Sequence, residues 1–99
     1  MEITRGEFLI STDRSRLDFK MIQRFLVEDS YWACERTPEQ TATAIENSFC
    51  FGVYHEEIQV GFARVVSDRA TFAYLGDVFI IEEYRGRGLS KWLMGAIIG

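Results

Sequence analysis

The spacing of apolar residues near the N-terminus predicts a short strand followed by a helix. Residues 8–10 form an apolar run that a polar stretch ends, as is typical of a strand. From Ser15 to about Glu28 the apolar side chains recur at helical spacing. Asp18 follows Ser15 by three positions, as in a capping box, which predicts that the helix starts at Ser15.

A second, shorter helix is predicted to begin at Thr37. Threonine suits the N-cap, Pro38 suits the first helical position, and Gln40 can return a hydrogen bond to the cap. The helical pattern ends near Asn47. The two predicted helices are therefore separated by a loop over residues 29–36 that carries two large aromatic side chains.

After residue 49 the apolar period changes from 3.6 to 2, which marks a change from helices to strands. Residues 49–54 and 58–66 predict an antiparallel hairpin, and residues 71–81 predict a third strand in which Gly76 permits a bulge. A glycine-rich turn and a final helix follow. The predicted order is β-α-α-β-β-β-α, an α+β fold with a mixed sheet in a single domain over residues 1–99.

Composition and charge narrow the functional classes. The chain has 99 residues, of which 47% are hydrophobic and 14% aromatic, enough for one domain with a packed core. A net charge of −4 argues against general nucleic-acid binding, because such binding requires a basic face. No apolar run approaches the ~20 residues that cross a bilayer, so no membrane partner is expected.

The cysteine and histidine content argues against a metal site. Cys34 and Cys50 lack metal-ligand spacing, and His55 is the single histidine. We expect both cysteines to be small buried residues and His55 to be exposed in a hairpin turn. With no signal-peptide pattern at the start, the sequence predicts a reducing, cytoplasmic setting.

The turn within residues 84–93 is the segment that points to chemistry. Gly86 and Gly88 let the backbone approach an anion, and the turn presents unpaired N–H groups at the positive end of a helix dipole. Three side chains add full positive charge, namely Arg85, Arg87 and Lys91. The alternative is an ordinary strand-to-helix turn in which glycine supplies a positive φ angle.

This segment resembles the acyl-CoA motif of the GNAT family of N-acetyltransferases, Arg/Gln-x-x-Gly-x-Gly/Ala. Here the motif reads Arg85-Gly86-Arg87-Gly88-Leu89-Ser90, in which Ser90 departs from the last position but is still small. Residues 77–84 resemble the strand-to-loop entry of the family, and the likeness covers nearly all of the chain. The resemblance therefore implies a GNAT-like fold and acetyl-CoA as co-substrate.

The resemblance also assigns site residues. In relatives the turn amides hold the pyrophosphate of acetyl-CoA, and the preceding strand pairs with the amides of the pantetheine arm. Carried over by position, the cofactor-binding residues are Val78, Phe79, Ile80, Arg85, Gly86, Arg87, Gly88, Leu89, Ser90 and Lys91.

Acceptor binding and catalysis are less well defined by the sequence. Tyr31 and Trp32 in the inter-helix loop either fold over the core, the interpretation we favour, or contact the acceptor, as the resemblance implies. Asp77, inside an apolar strand, is the candidate general base, whereas Glu82 and Glu83 are more simply solvated turn residues.

Relatives in the family continue past the last helix with further strands and another helix, whereas this sequence stops at Gly99. We therefore expect a fragment, a truncated gene product, or a protomer that completes its sheet with another chain, such as a homodimer. The leading hypothesis is transfer of an acetyl group from acetyl-CoA to a primary amine of a small molecule or protein. The alternative is a CoA-binding or sheet-completing module without turnover, and a nucleotide-binding βαβ unit is weaker because the preceding hairpin is antiparallel.

Overall fold

Five strands in chain order form one antiparallel sheet in the computed structural model, which describes residues 1–98. The strands are β1 (Glu2–Arg5), β2 (Phe8–Ser11), β3 (Phe49–His55), β4 (Ile58–Ser67) and β5 (Ala73–Ile80), and the helices are α1 (Phe19–Glu28), α2 (Pro38–Glu46) and α3 (Leu89–Ile98). No helix within residues 1–98 is long and apolar enough to cross a membrane.

The α+β class is confirmed, but the sheet is not mixed, because each pair of neighbouring strands within residues 1–98 is antiparallel. The predicted order also lacks one strand. Strand β1 pairs with β2 through a tight turn in which Gly6 has a φ of +61°. All four residues of β1 are exposed, so its sequence carries no alternation of buried and exposed positions. The observed order is therefore β-β-α-α-β-β-β-α.

The first helix starts later than the capping pattern predicts. Helix α1 begins at Phe19, and the Asp18 carboxylate accepts a hydrogen bond from the N–H of Met21. Ser15 lies instead in a separate 3-10 turn that the Asp13 side chain caps. The prediction that Ser15 begins the helix is wrong, because the preceding aspartate and Asp18 each supply a competing cap.

The second helix follows its sequence prediction. The Thr37 side chain accepts from the N–H of Gln40, and the Gln40 side chain accepts from the N–H of Thr37, so the capping box is complete. Pro38 occupies the first turn, and Asn47 is the C-cap.

Two hydrophobic clusters lie on opposite faces of the sheet. On one face α1 packs against the strands, and the Phe25 and Phe79 rings stack with centroids 3.9 Å apart. On the other face α3 is anchored by Leu89 and Leu93, both almost fully buried. The glycine-rich turn is therefore held at both ends, because β5, which precedes it, belongs to the sheet and α3, which follows it, packs on the sheet.

Strand β5 contains the predicted bulge. Phe62 pairs with Phe79 whereas Arg64 pairs with Gly76, so β5 has one residue more than β4 between these pairs. Asp77, and not Gly76, carries the left-handed backbone conformation, with a φ of +51°. β5 is also an edge strand of the described sheet.

Two predicted exposures are wrong. The His55 ring is half-buried because it stacks on Phe8 at 4.9 Å and its Nδ1 lies 2.9 Å from the Tyr84 hydroxyl. Cys34 is exposed, since it lies in the segment between α1 and α2, whereas Cys50 in β3 is buried as expected.

Candidate anion-binding site at the glycine-rich turn

Two glycines set the path of the turn between β5 and α3. A short 3-10 turn, Glu82–Tyr84, leads into it, and α3 begins at Leu89. Gly86 has a φ of +81° and Gly88 a φ of +76°, conformations that L side chains rarely adopt. A Cβ at Gly86 would meet nothing within 4 Å, so the backbone here is open to a ligand.

The turn presents a run of unused hydrogen-bond donors. Within residues 1–98, the N–H groups of residues 86–91 donate to no acceptor. The first helical bond runs from the N–H of Trp92 to the carbonyl of Gly88, at 3.1 Å. Consecutive free amides at a helix N-terminus favour an anion, because the helix dipole adds positive partial charge there.

These amides border a cavity of about 290 Å³. The cavity is lined by Ile80, Tyr84, Arg85, Gly86, Gly88, Leu89, Ser90 and Lys91. The structure therefore brings together most of the turn residues named from the sequence. Val78, Phe79 and Arg87 lie outside the lining, and the Phe79 side chain is buried in the core on the α1 face.

The cations of the turn are placed unequally. The Arg85 Nε donates to the carbonyl of Ile80 at 2.9 Å, which holds this side chain against the end of β5. The Arg87 guanidinium lies over the Tyr84 ring, 5.0 Å from its centroid. Lys91 in the first turn of α3 is exposed, so its ammonium remains available to a ligand.

A fourth cation reaches the turn from β1 and escaped sequence analysis. The Arg5 guanidinium stacks over the Trp92 ring at 4.9 Å, and its Nη2 donates to the carbonyl of Arg87 at 3.5 Å. A Cβ placed at Gly88 would lie 3.6 Å from that same Nη2. Arg5 and Arg87 are 82 positions apart, so no local pattern could reveal the contact.

Asp77 lies away from the turn, in a buried ionic cluster. Its carboxylate accepts hydrogen bonds from Arg36 at 2.7 Å, Arg64 at 2.9 Å and the Trp32 indole at 3.0 Å. Burial raises the pKa of Asp77, but the hydrogen bonds from Arg36, Trp32 and Arg64 outweigh it and hold the pKa below its ordinary value. A carboxylate with both oxygens engaged and a lowered pKa is a poor proton acceptor.

The aromatic pair between α1 and α2 does not cover the core. Tyr31 is 90% exposed, and Trp32 is 45% exposed with its indole N–H directed to Asp77. The two rings meet edge to face, with centroids 5.6 Å apart. The interpretation that these residues fold over the core is therefore wrong, because the Trp32 ring is held by a polar contact.

A second cavity, of about 320 Å³, lies between α1 and the residues that follow β5. Carboxylates and guanidinium groups share its lining: Asp29, Glu82, Glu83, Arg24 and Arg85. The predicted solvation of Glu82 and Glu83 is confirmed, since both are exposed. Because Arg85 lines both cavities, this groove adjoins the glycine-rich turn.

One set of side chains within residues 1–98 brings three potential metal-ligand atoms within 4.8 Å of one another, namely Glu7, His55 and Glu56. The two glutamates are exposed, and the His55 Nδ1 already pairs with Tyr84. Such exposed carboxylates commonly cluster without an ion, so we assign no metal to them.

Comparison with solved structures shows the same fold in GNAT proteins. A crystal structure from Xanthomonas campestris pv. campestris, of a protein described as belonging to the GNAT family, is 50% identical with a TM-score of 0.90. The alignment covers 93% of this chain and 65% of that one. The protein SA2161 of meticillin-resistant Staphylococcus aureus shares the fold alone, at 20% identity and a TM-score of 0.72 over 92% of this chain and 66% of its own.

Sequence relatives carry acetyltransferase names. The "Putative acetyltransferase FG08082" of Gibberella zeae is 32% identical over 92% of this chain and 62% of its own length. The "Uncharacterized N-acetyltransferase ycf52" of Gracilaria tenuistipitata var. liui is 36% identical over 71% of this chain and 41% of its own length. This chain therefore spans less than two thirds of either curated relative. The model of the acetyltransferase (GNAT) family matches residues 19–99, which include β5, the turn and α3, and on that match the chain belongs to the GNAT family.

Proposed function

We propose that this chain carries the acetyl-CoA-binding part of an N-acetyltransferase that acetylates a primary amine. The observation that supports the proposal most is the run of unused amides at residues 86–91, which opens on a cavity with cations on its rim. Acetyl-CoA, the general co-substrate of the family, offers a diphosphate whose charge matches such a cradle. The Arg5, Arg87 and Lys91 side chains add charge-assisted contacts around it.

The pantetheine arm of the co-substrate would pair with the backbone of residues 78–80. The Phe79 and Ile80 side chains are buried on opposite faces of the sheet, so only their peptide groups are open to a ligand. Because β5 is an edge strand, its outer row of N–H and C=O groups has no partner strand within residues 1–98. The arm would thus extend the sheet in the manner of an added strand.

In the proposed reaction, the lone pair of the neutral amine attacks the thioester carbonyl carbon, and the bond from that carbon to sulfur breaks. The amine loses a proton, and the departing thiolate gains one. Asp77 is unsuited to remove that proton, for the reasons given above. Three carboxylates, Asp29, Glu82 and Glu83, line the cavity beside the turn, where a cationic acceptor can approach.

Binding of acetyl-CoA is tested by titration calorimetry with a matched pair of lysine variants. Lys20 and Lys91 are the two lysines of the chain, and both are exposed in the first turn of a helix. We expect Lys91→Gln to weaken acetyl-CoA binding about tenfold, as loss of a charge-assisted contact implies, and Lys20→Gln to leave it unchanged. Absence of binding to the folded wild-type protein, or equal loss in both variants, would contradict the proposal.

A second candidate function is supported by the open edge of the sheet. Tyr74 in β5 and Phe72 just before this strand are exposed, which suits pairing of the edge with another chain. In this alternative the chain binds CoA, or completes a sheet with another chain, for example as a homodimer. It does not catalyse acetyl transfer, and it acts in the cytoplasm. Light scattering after size exclusion, together with thiol release from acetyl-CoA, separates the two, because the alternative gives binding or dimerisation with no thiol release.

A further inference from the structure

The ionic cluster around Asp77 joins three parts of the fold that are distant in sequence. Trp32 and Arg36 belong to residues 29–37, which connect α1 to α2 and are called here the connecting segment. Arg64 belongs to β4, and Asp77 lies at the bulge in β5. The Asp77 side chain is 4% exposed, and it receives all three donors at distances of 2.7–3.0 Å.

The bulge in β5 places the Asp77 carboxylate where this cluster forms. A φ of +51° at Asp77 suits aspartate or asparagine better than other side chains, because their short polar groups stabilise the left-handed conformation. Gly76 also has a steric role, since a Cβ there would lie 3.3 Å from the Arg64 Nη2. The guanidinium of Arg64 is thereby packed against the strand, with its Nη1 donating to the Ser48 hydroxyl at 3.1 Å.

The connecting segment is tied to α1 in both halves. In the first half, the buried Ser30 hydroxyl donates to the carbonyl of Leu26 at 2.6 Å and accepts from the N–H of Ala33 at 3.2 Å. In the second half, the Gln23 side-chain amide donates to the carbonyl of Arg36 at 2.7 Å. The Trp32 and Arg36 side chains turn the other way, towards β5, so Asp77 supplies the hydrogen bonds that join this second half to the sheet.

We propose that Asp77 is a positioning residue that holds the connecting segment against β5 at the acyl end of the acetyl-CoA site. The inference rests on the proposed function, in which residues 78–80 contact the pantetheine arm. Because those residues follow Asp77 directly, the segment lies beside that arm. Tyr31, 90% exposed and braced edge to face by the Trp32 ring, is then the side chain that the cluster presents to an incoming acceptor.

Hydrogen exchange on the full chain tests this role through Asp77→Asn. Asparagine keeps the shape and tolerates the positive φ, but it leaves the partly buried guanidinium groups of Arg36 and Arg64 without their carboxylate partner. We expect the amide of Arg36 to exchange about tenfold faster, while the amide of Ala33, which the Ser30 hydroxyl holds, and the amides of β3 keep their rates. Asp68→Asn is the matched control, because Asp68 accepts four hydrogen bonds in the exposed β4–β5 turn and should leave the connecting segment unchanged.

Unchanged exchange at Arg36, or equal acceleration at every amide, would overturn the positioning role. A second pair of variants covers the case in which Asp77→Asn does not fold. Arg36→Gln should accelerate the same amide, and Arg36→Lys should restore part of the protection, since lysine keeps the charge but not the fork geometry. Equal exchange in these two variants counts against the proposal.

Calorimetry with acetyl-CoA separates this inference from the function on which it rests. We expect Asp77→Asn to bind acetyl-CoA within about twofold of wild type, because the cluster lies away from the turn amides. If the wild-type protein fails to bind acetyl-CoA, the proposed function falls while the exchange result still reports on the anchor. If binding is normal and exchange is unchanged, the positioning role alone is refuted.

Discussion

Replacement of Gly88 by alanine perturbs the turn through its backbone. Gly88 has a φ of +76°, and placing a non-glycine residue in the left-handed region costs about 1–2 kcal/mol. The added Cβ would lie 3.6 Å from the Arg5 Nη2, an ordinary contact, so sterics add little to this cost. For a domain of this size each 1 kcal/mol shifts Tm by about 4–8 °C, so we expect Tm to fall by about 4–16 °C.

Gly95→Ala is the matched control for Gly88→Ala. Gly95 lies within α3, and a Cβ there would meet nothing within 4 Å. Alanine in a helix interior is about 0.5–1 kcal/mol more stable than glycine, so thermal unfolding should show a raised Tm. Opposite signs for the two variants, with weaker acetyl-CoA binding in Gly88→Ala alone, are the expected result. A Gly88→Ala protein as stable as wild type, with unchanged binding, would refute the reasoning about this turn.

Three further predictions concern other parts of the molecule. Arg5→Gln should lower the free energy of unfolding by about 0.5–1 kcal/mol through loss of the cation–π contact, and it should weaken acetyl-CoA binding in calorimetry. An unchanged free energy of unfolding together with unchanged affinity would exclude Arg5 from the site. In the native protein Cys34 should react with a thiol reagent while Cys50 stays protected, since burial raises the pKa of the Cys50 thiol; rapid labelling of two thiols per chain would contradict this. Hydrogen bonds from the Thr71 hydroxyl and nearby amides lower the pKa of Asp68, so its stabilising contribution is complete above the ordinary pKa of 3.8 and is lost as pH falls below it. The difference in free energy of unfolding between wild type and Asp68→Asn, measured with urea, should therefore shrink below about pH 4. A difference that stays constant with pH would count against this role of the Asp68 carboxylate.

Sequence patterns predicted those features that are encoded within a few consecutive residues. The capping box of α2 is complete within Thr37 to Gln40, and the glycine-rich turn is complete within residues 85–91. Such features depend on residue types at fixed short spacings, which a sequence displays directly. For the same reason the residues of the turn alone indicate the candidate site.

Features that depend on long-range contacts were missed. The start of α1 is set partly by Gln59, whose side-chain oxygen accepts from the N–H of Asp18 at 2.6 Å across 41 positions. Strand β1 is exposed along its whole length, so it has no buried face that a periodicity could reveal. The position of Asp77 inside an apolar strand indicates a base, but its three hydrogen-bond partners lie 13 to 45 positions away.

The packing of α3 and the exposure of the glycine-rich turn explain how the turn keeps its amides free before any ligand is bound. Unpaired N–H groups weaken a structure when they are buried, so a turn of this kind needs stabilisation from other contacts and access to solvent. Leu89 and Leu93 supply the stabilisation by burying one face of α3 in the core, with exposures of 2% and 0%. The solvent access comes from residues 85–88, which are exposed. The helix is fixed by its apolar face, and the turn is fixed by Arg5 and Tyr84. The amides therefore need little reorganisation to receive an anion, so little of the binding free energy is lost to ordering the turn.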